Sequence, residues 1–369
     1  MKRVAVICFF LLFFILMIGV FAISDHEPAR RTSVKEGADR FRVGLIMRGS
    51  HDDRGWSESH FDAINKISAE ENILLEFYEK VPVNRYCKDK IESLINDGCD
   101  LIILDYDGYE QYARELAIIH PEVDFLNANG TGYRDNFASF FGRMYQVRYL
   151  LGIMAGLQTK TNEILYTASF ENARTIRGID AFAMGVRKYN PDATVYVRYT
   201  GSWDDDKRAA DATEKLIADH NGDILICHVN SKRPLEISNW RGIWTIGYHM
   251  NNEDLYKDTY LSAAIWNWEH FYREYILDSK NDRFRGNYKW LGIDEGAVDL
   301  SPLTYHVSPE IREIVMYERD RLINRNFDVY YGPVYDKDNN LIIPEGESFT
   351  DNKLKNSIDW YVPGVVIDE

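Results

Sequence analysis

TVYVRYTGSWDDD (residues 194–206), GDILICHVNSKRP (222–234) and GIWTIGYHMNNED (242–254) follow one another along the chain. Each begins as a short apolar, β-branched run and ends in residues that resist burial: Trp203 with Asp204, Asp205 and Asp206, then Asn230 with Ser231, then Tyr248, His249 and Asn251. The runs read as strands and the endings as the loops that leave them. Ligands of open α/β sheets bind beyond the carboxyl ends of the strands, so three such endings in succession describe one wall of a cleft. The opposite wall must come from elsewhere in the chain.

Working outward, the same alternation recurs. FRVGLIM (41–47), ILLEFYEKV (73–81), DLIILDY (100–106) and VDFLNANG (123–130) read as strands. Helical spacing of Phe61, Ile64 and Ile67, a helix over 90–97 closed by Gly98, and one over 111–120 stopped by Pro121 lie between them. After a crossing segment at 136–141, a second series follows: helix 144–158, strand EILYTASF (163–170), helix 175–189 stopped by Pro191, the three strands quoted above, and a strand and helix in TYLSAAIWNWEHFYREYILD (259–278). The chain ends in a helix over 309–324, a turn-rich segment at 330–346 and a tail. Strands alternating with helices imply βαβ units and parallel sheets. Two such series imply an α/β protein of two lobes.

With 369 residues, the chain is long enough for two lobes that each bury a core. A formal charge of −15 opposes binding to phosphate backbones and excludes nucleic acid as a partner class, though not a single base or nucleoside. Lys2 and Arg3 precede an unbroken apolar run over 4–23. This fits a secretory signal or a membrane anchor of about 20 residues, and either places the body outside the cytoplasm. Residues 1–24 are therefore read as signal peptide or anchor, and 25–40 as a polar linker. No lipobox cysteine ends the run. Cys87, Cys99 and Cys227 read as separate buried thiols, with a Cys87–Cys99 bridge as the alternative in an oxidising compartment.

Catalytic signatures are absent: no phosphate loop, no dinucleotide G-x-G-x-x-G, no H-E-x-x-H and no G-x-S-x-G. Asp336, Asp338, Asn340 and Glu347 have a calcium-loop-like spacing, but Leu341 stands where the sharp turn needs glycine, so a surface hairpin is the reading. Asp105 and Asp107, ahead of Gly108, read as a strand-end turn. No enzyme, metal or cofactor is expected. Aromatic residues make up 14% of the chain, and Trp56, Tyr109, Phe170, Trp203, Tyr248 and Trp266 fall at or just past strand ends. Beside them stand Asp53, Asp205, Asn230 and Asn251. Aromatic faces above and below a flat ligand, with carboxylate or amide groups at its edge, would hold it.

These residues resemble the basic membrane protein family of solute-binding proteins, which serve ABC importers of purine nucleosides and nucleobases. DRGW (53–56) is similar to the family's D-G-G-W or D-G-G-F loop, and RYLLGIMAG (148–156) to its first crossover helix. TIRGIDAFAMGVRKYNPDA (175–193), IGYHMNN (246–252), AIWNWEHFY (264–272) and FTDNKLKNSIDWYVPGVV (349–366) follow in the family's order. The W-N-W pair and the GW loop resemble the adenine-type branch. The resemblance implies a type I periplasmic-binding fold, two Rossmann-like lobes joined by three crossovers: 41–138 with about 265–292, and 139–264 with about 293–369. It implies that Trp56 stacks on the base, Asp53 supports its loop, Trp203 and Asp205 form a W-x-D segment, and Trp266 is a crossover aromatic. Partners would be a purine-like ligand and ABC permease subunits, with the membrane reached through the N-terminal segment if uncleaved. Two departures bear on the ligand. Asn230, Ser231 and Lys232 stand for the family's D-S-P, and Asn251 for an aspartate. Asparagine donates as well as accepts, which points away from adenine toward an oxo-purine or another flat heterocycle. A membrane-tethered sensor domain is the alternative function.

Overall fold

The computed structural model describes residues 40–368; the N-terminal apolar run and most of the linker lie outside the described residues. Among them no helix is long and apolar enough to cross a membrane.

The first series forms β1 (Arg42–Ile46), α1 (Trp56–Glu70), β2 (Leu74–Tyr78), α2 (Arg85–Asn96), β3 (Leu101–Leu104), α3 (Glu110–Ile119), β4 (Asp124–Ala128) and β5 (Phe137–Gly142). The second contains α4 (Met144–Gln158), β6 (Glu163–Ala168), α5 (Ala173–Tyr189), β7 (Thr194–Tyr199), α6 (Asp206–Asp219), β8 (Ile224–His228), α7 (Arg233–Arg241), β9 (Trp244–His249) and β10 (Tyr260–Trp266). Then follow α8 (Trp268–Lys280), β11 (Tyr288–Leu291), β12 (Val298–Leu300), α9 (Pro309–Ile323), β13 (Val334–Tyr335), β14 (Leu341–Ile343), α10 (Asp351–Asn356) and β15 (Val365–Ile367). One sheet has the order β11-β5-β4-β3-β1-β2 and the other β12-β10-β9-β8-β6-β7-β15. Every pairing in them is parallel except that of β12 with β10. Buried on both faces, their strands carry the near-continuous apolar runs that parallel sheets require, as in Leu101 to Leu104.

The chain passes between the sheets three times, at Arg143, at Asn267 and over 292–297. The segment at 136–141, read from sequence as a crossing, is instead most of β5, and the crossing is the single residue after Gly142. Asn136 explains this, because its side chain donates to the carbonyls of Ala117, His120 and Val123 and so anchors the segment to the end of α3.

The helix pair α4 and α5 packs backbone to backbone. A Cβ at Gly152 would lie 2.0 Å from the Phe182 carbonyl oxygen, one at Gly185 2.0 Å from that of Tyr149, and one at Gly156 2.6 Å from that of Val186. Gly152 and Gly156 share a helix face, which is why RYLLGIMAG must carry glycine at both. Around the hairpin of β13 and β14, Asp336 accepts the backbone N–H groups of Asp338 and Asn340 and the Asn340 side chain, so its carboxylate shapes a turn. Cys87, Cys99 and Cys227 are free and buried, with burial pushing the first two thiols up to about 12.

At the end of β3, Asp105 is wholly buried and ties three segments together. Its Oδ1 accepts the Arg48 N–H at 2.9 Å, and its Oδ2 is 2.7 Å from the Ser57 hydroxyl in the first turn of α1. Burial pushes this carboxyl from 3.8 up to about 7.

Two outcomes follow from this packing. Gly185→Ala forces a methyl group into a carbonyl and should destabilise by about 1–3 kcal/mol in urea unfolding, whereas a loss near zero would mean the helices are free to part. Between pH 4 and 7 the folded chain keeps a proton on Asp105 that the unfolded chain has lost. The contribution is therefore full below pH 4 and disappears as pH rises through 7. The stability of the wild type relative to Asp105→Asn should fall by up to about 1.4 kcal/mol per unit across pH 5–7. Buried neutral His60, His228 and His249 shift stability the other way, equally in both proteins. A pH-independent difference would mean that Asp105 folds ionised.

Candidate ligand-binding cleft

Parallel strands leave their carboxyl-end loops on one edge, and here the two sheets bring those edges together. Arg48 follows β1, Tyr106 follows β3, Asn129 follows β4 and Phe141 lies in β5; these, with Trp56, form one wall of a cavity of about 230 Å³. Phe170 follows β6, Ser202, Trp203 and Asp204 follow β7, Asn230 follows β8, and Tyr248 and His249 end β9, forming the other wall with Arg174 of α5.

Trp56 opens α1, where its position is fixed at both ends. Its indole N–H donates to the Asp105 carbonyl at 2.8 Å, and its backbone N–H donates to Asn230 Oδ1 at 2.9 Å across the cleft. The rings of His60, His249, Trp266 and Trp268 meet it nearly at right angles, with centroids 4.4–5.7 Å away. No ring among the described residues lies parallel on it. Asp53 holds the loop by accepting the backbone N–H groups of Gly55, Ser57 and Glu58. Its Oδ2 also accepts the Asn230 side-chain amide at 3.2 Å. A Cβ at Gly55 would lie 2.2 Å from Asn230 Oδ1, so a side chain there would displace the Asn230 amide from its bond to Trp56.

His249 is the most informative wall residue. It sits at a φ of 74°, a conformation that L side chains adopt rarely and that costs strain. Its Nδ1 accepts the Trp266 indole N–H at 3.1 Å. Burial keeps the imidazole pKa well below its ordinary value, so the ring is neutral and its one proton sits on Nε2. That Nε2 is buried and meets no hydrogen-bond partner among the described residues. Beside it, Tyr248 stacks on the His249 ring at 3.7 Å and receives the buried Arg148 guanidinium 4.3 Å from its centroid. Two exposed cations of the walls are paired, Arg48 with Asp204 at 3.1 Å and Arg174 with Asp107 at 3.2 Å. Among the described residues, no group of His, Cys, Asp or Glu is arranged to hold a metal ion.

Of the residues singled out from sequence, Trp56, Phe170, Trp203, Asn230 and Tyr248 line this cavity. Asp53 stands behind Trp56. Trp266 also lies behind the wall, buried and stacked on Trp268 at 4.6 Å. Three others do not line it. Tyr109 is fully buried in the 3-10 turn after β3 and donates its hydroxyl to the Val81 carbonyl, while Tyr106, extended just before that turn, takes the wall position. Asp205 caps α6 by accepting the Arg208 N–H. Asn251 caps its own turn by accepting the Glu253 N–H. Sequence reasoning missed Arg48, Tyr106, Asn129, Phe141 and Arg174 as wall residues. The strand-end rule applied to β1 and β4 reaches Arg48 and Asn129, but Phe141 was hidden by its assignment to a crossing.

The DRGW loop also latches the lobes. Arg54, at a φ of 53°, donates Nε to Asn252 Oδ1 at 3.1 Å and pairs with Asp254, and Asn252 returns its amide to the Arg54 carbonyl.

Comparison with known proteins places this architecture. A family model described as ABC transporter substrate-binding protein, PnrA-like, matches residues 41–331. A purine-binding protein of Brucella abortus is 26% identical over 329 residues, covering 89% of this chain and 93% of that protein. TsgA13 of Haloferax volcanii, whose name is that of an ABC transporter glucose-binding protein, is 28% identical over 313 residues, covering 85% of this chain and 77% of its own. The solved structure of an ABC transporter system solute-binding protein from Conexibacter woesei superposes with a TM-score of 0.67 at 16% identity, over 78% of this chain and 98% of that one. The fold is the type I periplasmic-binding fold, two Rossmann-like lobes joined by three crossings, and the chain belongs to the PnrA-like family of ABC transporter substrate-binding proteins.

Proposed function

We propose that the protein is the exported binding component of an ABC importer, which captures a purine-type nucleobase or nucleoside between its lobes and presents it to the permease. The observation that carries this reading is the cleft itself, walled by the rings of Trp56, Tyr106, Phe141, Phe170, Trp203 and Tyr248 with the neutral His249 among them. Ring faces hold a flat heterocycle, and the polar groups of Asn129, Arg174 and Ser202 on the same walls can meet its edge. A cavity of about 230 Å³ lies below the roughly 300–1,000 Å³ of sites for drug-sized ligands, which suits a single small ring system. Trp56 stacks on the base; Phe170, Trp203 and Tyr248 complete the box; Asp53 and Asn230 act on closure rather than on the ligand. Arg148 beneath Tyr248 makes that wall electropositive and favours ligands that present carbonyl oxygens, as oxo-purines do, over adenine.

Lys2, Arg3 and the apolar run at 4–23 support export to the outer face of the membrane. The lobes that close divide at the three crossings, Arg143, Asn267 and 292–297, rather than at 138 and 264 as read from sequence.

Titration calorimetry with adenine, hypoxanthine, guanine, xanthine, their nucleosides and glucose tests the reading. An oxo-purine or its nucleoside should bind more tightly than adenine. No purine bound by demonstrably folded protein rejects the proposal, and glucose bound in their place moves it to sugars. Trp56→Ala should weaken purine binding by about 1–3 kcal/mol, and an unchanged affinity would remove the ring from the ligand's surface.

A further inference from the structure

Beside the cleft lies a second cavity of about 280 Å³ that shares Asn129, Phe141 and Arg174 with it. Its remaining walls include Arg177 of α5, Tyr288 and Trp290 of β11, and Lys355 of α10. Three cations face it and no carboxylate lines it.

Arg177 is the unusual member. It is only 5% exposed, and its Nη1 donates to the Leu354 carbonyl at 2.6 Å. Its other guanidinium nitrogens make no hydrogen bond, and no carboxylate pairs with it, among the described residues. Its Cζ lies 5.1 Å from the Trp290 ring centroid. Burial pulls its pKa down only to about 10, so it stays charged at neutral pH. A buried guanidinium without an anion is expensive to desolvate, and a ring face compensates it weakly. Lys355 is similarly placed, with Nζ 4.1 Å from the Tyr288 centroid and 4.8 Å from that of Trp290. Burial and the nearby Arg143 and Arg177 lower its pKa, and Asp351 works against them. Arg174 lies between the two cavities, its Cζ 5.4 Å from the Phe141 ring, paired with Asp107.

We infer that this side chamber is an anion subsite, which takes the phosphate or carboxylate arm of a ligand whose flat ring occupies the cleft. The inference rests on the proposed function for the ring and adds a charged arm to it. Two guanidinium groups of α5 and the ammonium of α10 converge there, and Arg177 offers a free edge for fork-like hydrogen bonding to a tetrahedral or planar oxyanion. Because α5, β11 and α10 each supply a cation or a ring, an anion in the chamber also ties together segments of both sheets' surroundings.

The test compares inosine with inosine 5′-monophosphate by calorimetry on wild type, Arg177→Gln and Lys355→Gln, with inorganic phosphate and acetate followed through tryptophan fluorescence. The monophosphate should bind wild type at least tenfold more tightly than inosine. Both variants should shrink that gap to within about twofold while leaving inosine affinity unchanged. Phosphate binding that exceeds acetate binding assigns the arm to phosphate, and the reverse order assigns it to a carboxylate. Inosine bound as tightly as the monophosphate, or a gap that survives both variants, overturns the inference but leaves the cleft reading standing. If no purine binds but phosphate does, and both variants abolish it, the cleft reading falls and the anion subsite remains. Folded wild type that binds neither phosphate, acetate nor monophosphate ends the inference. Lys355, half-buried on the short α10, gives a variant whose folding does not depend on the core.

Discussion

The cleft depends on one buried carboxyl group. Asp105 terminates β3, receives the backbone of the loop after β1, and meets Ser57 one turn into α1, so three segments distant in sequence are set by a single side chain. Its own carbonyl fixes the Trp56 indole. A carboxyl placed there is penalised by burial, and the penalty is tolerated because each polar contact it makes also positions the wall. The opposite lobe is organised by a different means. There, glycines let α4 and α5 touch through their backbones, which places Arg148 of α4 beneath Tyr248 at the end of β9.

Much of this was legible in the sequence because period and punctuation reflect local physics. Continuous apolar runs between helices identify parallel strands, and polar or aromatic residues after them identify the cleft edge. What sequence could not resolve was direction over one or two residues. Tyr106 and Tyr109 both follow β3, but a 3-10 turn between them rotates the second into the core. Asn230 and Asn251 were both read as ligand-facing amides. Asn230 does line the cavity, but its amide is spent on Trp56 and Asp53, and that of Asn251 on its own turn. Amides satisfy whatever backbone group lies nearest, and only the tertiary arrangement says which group that is. His249 shows the opposite case: it was noted as a strand ending, but its left-handed backbone and its bond to the Trp266 indole come from packing that no sequence pattern encodes.

The contacts that join the walls and the surfaces that face the cavity come from separate residues. Gly55, Asp53, Asn230 and Asn252 join the two walls through amides and backbone, whereas the aromatic rings and His249 present surfaces to the space between them.

Arg54 carries that separation furthest. It occupies a left-handed backbone position where the resembling motif has glycine, and uses the side chain gained there to grip Asn252 and Asp254 on the far wall. None of these contacts needs anything between the walls, so each of them favours the shut arrangement over one in which the walls are parted. A ligand meeting a mostly shut receptor pays less for ordering it, but also finds the entrance open less of the time. The Arg54–Asp254 pair of the latch is reached by solvent, so its strength falls as salt screens it.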